Sequence, residues 1–289
     1  MSFFKVIILA IVQGLAELLP VSSSAHVVVA EKLMGLDPSS PEMTLLLVML
    51  HTGTMFAVIV YFWTQWRKTY FHSAASFKRF AFLVVLATAM TGVVGLALVK
   101  LIEKTAFHGQ ENAEAEQLFS HLELIAPALA AAGVLILAAA FFERRRAVSE
   151  PSGDVAITAK QAGWIGFVQG LCMPFRGFSR SGATISTGML AGVSKVRAET
   201  FSFALAVVLT PPVVAREALR LIKAQHISSG AHLASAMVPS IVGAFCAFLA
   251  GLAALRWLSR WLEGGQWYIF GIYCLGAAVV VAMLHRAGY

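Results

Sequence analysis

Six stretches of roughly 20 apolar residues, each long enough to cross the ~30 Å hydrocarbon core of a bilayer, constrain this chain more than any other feature. They run approximately from Met43 to Trp63, Phe80 to Leu101, Leu124 to Phe142, Phe201 to Ile222, Ala236 to Leu255 and Trp267 to Leu284. Composition agrees: of 289 residues, 58% are hydrophobic and only 13% are charged. Soluble domains carry about 25% charged residues, so the surplus apolar surface must face lipid. Disorder, a secreted disulfide scaffold and an ordinary cytosolic enzyme are excluded. Cys172, Cys246 and Cys274 each lie in an apolar stretch without a CxxC partner, which supports neither a disulfide framework nor a zinc site.

The formal net charge of +7 would suggest a nucleic-acid partner in a soluble protein. Here no nucleic-acid partner is expected, because basic residues collect in the cytoplasmic loops of membrane proteins. Arg67, Lys68, Lys78 and Arg79 follow the first span; Arg144, Arg145, Arg146 and Lys160 follow the third; Lys195 and Arg197 precede the fourth; Arg256 and Arg260 follow the fifth. The loop after the second span is acidic, with Glu103, Glu111, Glu114, Glu116 and Glu123 against Lys104. Basic loops placed inside put both termini outside. The N-terminal apolar run lacks a small-x-small cleavage site and is expected to stay in the mature protein.

Two further apolar regions, Val6 to Leu33 and Gln161 to Gly192, are broken by clusters of Ser, Pro and Gly. The charge pattern requires each to enter and leave on the same side, which non-helical backbone permits only when buried in protein or lining a polar cavity. Val12-Gln13-Gly14-Leu15 recurs as Val168-Gln169-Gly170-Leu171, and Ser22-Ser23-Ser24-Ala25 is echoed from Ser179 to Ala183. Related segments entering from opposite faces are the mark of an inverted-topology repeat. The expected architecture is therefore an all-α polytopic membrane protein of about six spans and two re-entrant helical hairpins. It forms a single domain over 1–289, with pseudo-repeats of approximately 1–142 and 160–289 joined by a cytoplasmic loop 143–159.

The broken segments carry the chemistry. In the first, Gln13 and Glu17 are four residues apart and share a helix face. Pro20 stops that helix, and Ser22, Ser23 and Ser24 form a turn that can cap the next, with His26 just beyond. An ionisable side chain at membrane depth is costly, which makes Glu17 a functional candidate. Glu17 and His26 are expected to act as one unit, since a short serine turn brings position 26 back toward position 17. In the second segment, Gly177 and Gly182 permit tight turning, and Ser179, Ser181 and Thr184 line a helix start suited to an anion. Arg180 offers a planar fork matched to phosphate oxygens, and Arg176 is a second cation nearby. A carboxylate, an imidazole, hydroxyls and a guanidinium fit phosphoryl transfer. No nucleophile-elbow GxSxG, HExxH, Walker A or dinucleotide fingerprint is present.

These residues resemble the bacterial undecaprenyl-diphosphate phosphatase family, also named for bacitracin resistance, over nearly the whole chain. One family signature, Glu/Gln-x-x-x-Glu running into Pro-Val-Ser-Ser-x-x-His, stands here from Gln13 to His26; the other, Pro-Gly-x-Ser-Arg-Ser-Gly, stands as Gly177 to Gly182. The resemblance implies a bacterial inner-membrane hydrolase that converts the C55 isoprenoid diphosphate to the monophosphate at the outer side of the membrane. Such an enzyme recycles the lipid carrier for cell-wall synthesis. The resemblance also implies help from a divalent cation, Mg²⁺ or Ca²⁺. It carries catalytic roles onto Glu17, Ser23, His26 and Arg180. Gln13, Ser22, Ser24, Arg176, Gly177, Ser179, Ser181, Gly182 and Thr184 are then substrate-binding candidates. The sequence departs from the family twice. Gln13 replaces a carboxylate found in many members, which removes one metal ligand and leaves Glu17 as the candidate. Arg176 stands where a proline is expected, which either widens the loop or adds a phosphate contact. The nucleophile stays open among His26, Ser23 and water. Partners are the lipid substrate and membrane lipids, with a homo-oligomer open. The rival reading is a polyprenyl-phosphate flippase using the same headgroup site.

Overall fold

The computed structural model describes residues 2–37, 40–106, 122–149, 156–225 and 231–287. Those residues form ten helices and no strand. The first half contributes α1 (Phe3–Leu18), α2 (Ser23–Leu33), α3 (Pro41–Thr69), α4 (Ala74–Ala106) and α5 (Leu122–Ser149). The second contributes α6 (Ala159–Cys172), α7 (Arg180–Leu190), α8 (Lys195–Gln225), α9 (Ala231–Glu263) and α10 (Trp267–Arg286). Each half thus runs as two short helices followed by three long ones. The long helices supply six candidate spans, at the positions expected from hydropathy. They make this a multi-pass membrane protein. At 1.5 Å per residue, α1, α2, α6 and α7 reach only about 16–24 Å, so none crosses a bilayer alone.

The short helices are cut where the sequence loses its helical options. Leu19 leaves α1 with extended backbone, ψ 151°, as a residue before proline must. Helix α7 begins on Ser179, whose hydroxyl accepts from the Gly182 amide at 3.2 Å, and α6 opens on a capping box between Thr158 and Gln161. Helix α5 differs from expectation at its end: it runs past Phe142 through Ser149, into the segment assigned to a loop. Hydropathy measures where the bilayer stops, whereas Glu143 and the arginines after it are good helix formers, and the arginines suit the approach to a helix C-terminus. Residues 150–155 lie outside the described residues, as do Glu111, Glu114 and Glu116 of the acidic loop.

Long helices form the frame and short ones fill it. Helix α3 packs against α9 and α8, α5 against α10, α4 against α6, and α1 against α9. The core centres on Phe62, Trp66, Phe201, Phe203 and Trp267, all nearly inaccessible, with the Phe62 and Phe203 rings stacked at 5.3 Å. Polar tips are satisfied: the Trp267 indole donates to Ser186 Oγ at 3.1 Å and the Trp66 indole to the Thr200 carbonyl at 3.2 Å. Val85, Val93, Phe245 and Met283 stay exposed on the periphery, the face a bilayer would cover.

The basic ends of the long helices gather together. Lys195 pairs with Glu143 at 2.8 Å, Arg79 reaches the Ile157 carbonyl at 3.3 Å, and Arg144 lies 4.6 Å over the Tyr268 ring. Between this end and the opposite one, the α1–α2 turn meets the α6–α7 turn.

Candidate active site

Where the two turns meet, Ser181 Oγ donates to the Leu19 carbonyl at 3.2 Å and the Gly177 amide donates to Ser24 Oγ at 3.3 Å. Gly177 has φ 101°, and a Cβ there would lie 2.6 Å from the Ile125 carbonyl oxygen, so only glycine fits. Ser22, the residue before α2, has φ 68°. A non-glycine residue in that region costs on the order of 1–3 kcal/mol, and such strain clusters at functional sites.

Glu17 is the hub. Its Oε1 accepts from Arg180 Nη2 at 2.8 Å; its Oε2 accepts from Ser23 Oγ at 2.5 Å and from Gln13 Nε2 at 3.3 Å. Ser23 is the first residue of α2 and Arg180 the first of α7. One carboxylate near the end of α1 is therefore gripped by the leading residues of two short helices, whose positive ends both favour an anion. The Arg180 Nη1 atom is buried and has no partner, a donor left over for a ligand. A cavity of about 200 Å³ opens here, lined by Glu17, Ser23, Ser24, Arg176, Arg180 and Ser181, with Ser22 and Ser179 also on its wall.

The other candidates divide. Gln13, 1% exposed, supports Glu17 from behind rather than facing the cavity. Ser22 Oγ lies 3.2 Å from Ser24 Oγ, and Ser179 spends its hydroxyl on the Gly182 amide. The Gly177 and Gly182 amides are thus occupied, and these residues shape the turns. Thr184 is fully buried, donating to the Arg180 carbonyl at 2.8 Å and contacting Ser202, and does not line the cavity.

His26 departs from expectation: no hydrogen bond joins it to Glu17. Its Nδ1 lies 2.7 Å from the Ser22 carbonyl and its Nε2 lies 2.7 Å from the Tyr273 hydroxyl, with the two rings stacked at 5.7 Å. A carbonyl only accepts, so Nδ1 carries the proton and Nε2 of the neutral ring accepts from Tyr273. The reason is the helix itself. Because α2 begins at Ser23, position 26 reaches back one turn to Ser22 and swings away from Glu17. His26 and Tyr273 instead head an apolar groove of about 490 Å³ between α1, α2, α5 and α10, lined by Val12, Val29, Leu33, Leu129 and Val280.

Two side chains at the site escape sequence reading. Tyr273 looks like any aromatic in an apolar span. His51, on α3, brings Nε2 to 3.9 Å from Glu17 Oε2, and an ionisable residue inside a span is a usable signal.

A resident metal finds few donors. Among the described residues no three His, Cys, Asp or Glu side chains gather, and both Glu17 oxygens are taken by Arg180, Ser23 and Gln13. The residues present do not fit a protein-held divalent cation, which needs several oxygen ligands.

The family model described as bacitracin resistance protein BacA matches residues 6–280. A protein of Acinetobacter baylyi called undecaprenyl-diphosphatase 2 is 59% identical over 98% of each chain. Undecaprenyl-diphosphatase 2 of Burkholderia orbicola and undecaprenyl-diphosphatase 1 of Burkholderia pseudomallei are each 34% identical, over 96% of this chain and 95% of theirs. With its two helical hairpins meeting on Glu17 and this similarity along its whole length, the chain belongs to the bacitracin resistance protein BacA family.

Proposed function

We propose that this chain hydrolyses undecaprenyl diphosphate to undecaprenyl phosphate and inorganic phosphate, with Ser23, Glu17 and Arg180 as its reacting and binding centre. The observation that carries this is the shared carboxylate: a hydroxyl at 2.5 Å on one oxygen and a guanidinium at 2.8 Å on the other. A hydroxyl bound to a carboxylate is an activated nucleophile beside its base. A fork with one free donor is an anion receptor.

The diphosphate enters the cavity and its terminal phosphoryl group meets Arg180 Nη1, with Arg176 on the same wall for the second phosphate. Ser23 Oγ attacks the terminal phosphorus as its proton passes to Glu17. The anhydride P–O bond breaks and the lipid monophosphate leaves. Glu17 releases that proton before water cleaves the phosphoserine; the carboxylate then takes the water's proton and hands it to the departing Ser23 Oγ, restoring the hydroxyl. Arg180 and the α2 and α7 N-termini stabilise the charge developing on the equatorial oxygens. His26, with both ring nitrogens engaged, orients the lipid at the mouth of the apolar groove, where the isoprenoid tail lies. A divalent cation, Mg²⁺ or Ca²⁺, travels as counter-ion of the diphosphate rather than as a resident of the protein.

The basic helix ends face the cytoplasm and the site opens outward in a bacterial inner membrane, in accord with the charge rule. The two halves are proposed to be an internal duplication. Gly14 of α1 abuts Ala247 of α9 and Gly170 of α6 abuts Thr91 of α4, and the two glycines are as far apart in sequence as Thr91 and Ala247.

Phosphate release from undecaprenyl diphosphate by the purified protein in detergent tests the reading. Release abolished by Ser23→Ala supports it. Lipid translocation in vesicles without phosphate release would make the chain a flippase instead.

A further inference from the structure

We propose that His51 takes over the proton that Glu17 collects, a positioning residue that acts through that carboxylate and completes a Ser23–Glu17–His51 path. The inference rests on the phosphatase reading of the site. His51 stands ten residues into α3, so about 15 Å from its start, at a depth where an ionisable side chain is costly without a use. Its Nδ1 lies 2.8 Å from the Leu47 carbonyl one turn back. That carbonyl can only accept, which fixes the Nδ1–H tautomer and leaves Nε2 with a lone pair. Nε2 is 3.9 Å from Glu17 Oε2, the same oxygen that holds the Ser23 hydroxyl at 2.5 Å.

The two histidines use one device to opposite ends. Each gives its Nδ1 proton to a carbonyl four residues back. His26 then spends Nε2 on Tyr273, whereas His51 keeps Nε2 for the carboxylate. Accessibility fits an exit: the His51 side chain is 39% exposed and that of Glu17 is 15%. Among the described residues, the charged group that faces His51 is Glu17. Gln13 contributes a neutral amide to the same oxygen, and Arg180 sits on the opposite one.

The need for such a group follows from the geometry. A proton resting on Glu17 would weaken its pair with Arg180 just when that guanidinium must stay aligned on phosphate. When Ser23 Oγ bonds to phosphorus and the anhydride bond breaks, the hydroxyl proton moves to Glu17 Oε2 and on to His51 Nε2, then to water. When water cleaves the phosphoserine, its proton passes to Glu17 Oε2 and from there to the departing Ser23 Oγ, which is restored as a hydroxyl. Glu17 ends each half-reaction ionised and paired, and no oxidant or further reactant is required. An imidazole with a free ring lone pair can take up a proton and hand it on within one turnover.

His51→Gln and His51→Ala, purified as monodisperse protein beside the parent, test this with undecaprenyl diphosphate as substrate. Gln keeps an amide near Glu17 but takes no proton. Both variants are expected to lose about 10²-fold in kcat, the lower end for a positioned acid or base, with KM within about twofold. Added imidazole should restore His51→Ala several-fold and leave His51→Gln unchanged. Near-parental kcat in His51→Gln overturns the inference, as does a loss confined to KM or a folded His51→Ala that imidazole does not rescue. If His51→Ala fails to fold, His51→Gln still decides. A parent that releases no phosphate overturns the phosphatase reading itself, a separate result.

Discussion

Replacing Arg180 with lysine keeps the charge and removes the fork. Arg180 holds Glu17 with Nη2 while Nη1 waits buried and unpartnered; an ammonium cannot serve both directions at once. Arg180→Lys should therefore lose on the order of 10²–10³-fold in kcat, the usual cost of removing one preorganised donor to transition-state charge. Near-parental phosphate release by the folded variant would take Arg180 out of the site. The pairwise couplings follow from who touches whom. Glu17 and Ser23 share a hydrogen bond, so Glu17→Gln, Ser23→Ala and the double variant should all be nearly equally inactive, as groups acting as a unit are. His26 binds Ser22 and Tyr273, so the losses of Glu17→Gln and His26→Ala should multiply. Measured kcat/KM for the singles and both doubles settles it; a non-additive Glu17–His26 pair would restore the arrangement expected from sequence. Residue types in the broken segments were legible because ionisable and hydroxyl side chains stand out against apolar helices. Their partners were not, since one turn of helix decides whether position 26 faces Glu17 or Tyr273.

Among the elements, the four short helices depend on close approach to long ones. A Cβ on Gly14 would sit 2.7 Å from the Ala247 carbonyl oxygen and 2.6 Å from Ala250 Cβ; one on Gly170 would sit 2.9 Å from the Thr91 carbonyl oxygen and 2.8 Å from Val94 Cβ. Backbone cannot yield cheaply, so Gly14→Ala and Gly170→Ala should each destabilise by about 1–3 kcal/mol, the cost of overpacking a tight interface. Gly163, also on α6, has nothing within 4 Å of its Cβ position, and Gly163→Ala should be neutral or slightly stabilising. Thermal midpoints in detergent for the three variants make the comparison; equal midpoints for Gly170→Ala and Gly163→Ala would deny the contact. Gly14→Ala should also lower activity, because Gln13 beside it supports Glu17. The Gln-Gly repeat was visible in the sequence, but its purpose was not. In the second half Gln169 donates to Thr91 Oγ1 at 3.0 Å, a purely structural bond. In the first half Gln13 turns its amide onto the Glu17 carboxylate. The same motif therefore binds a packing partner on one side and a carboxylate on the other, a difference set by Glu17, one turn beyond Gln13, which has no acidic counterpart beyond Gln169.

For the whole molecule, the spans were legible because hydropathy acts on the entire helix and a bilayer has one thickness. The meeting of the two hairpins was not, because pairing across the chain leaves no local periodicity. Orientation links the two levels. The basic side chains sit on helix ends that contact one another, Lys195 with Glu143 and Arg79 with the Ile157 carbonyl, so they must lie on one side of the membrane together. If that side is the cytoplasm, the α3–α4 turn at Ser73 faces inward and the far end of α4 at Lys104 faces outward, since α4 is a single uninterrupted span. Both positions are exposed, which makes them reachable by a labelling reagent. Cys172 and Cys274 are buried, and Cys246 is removed by Cys246→Ser to leave a quiet background. In intact cells a membrane-impermeant maleimide should then modify Lys104→Cys and spare Ser73→Cys, with both labelled once the membrane is opened. The opposite pattern would turn the molecule over and deliver phosphate from the site toward the cytoplasm. Labelling of both in intact cells would mean that α4 does not span, and would break the link between basic helix ends and sidedness on which the proposal of an outward-facing site rests.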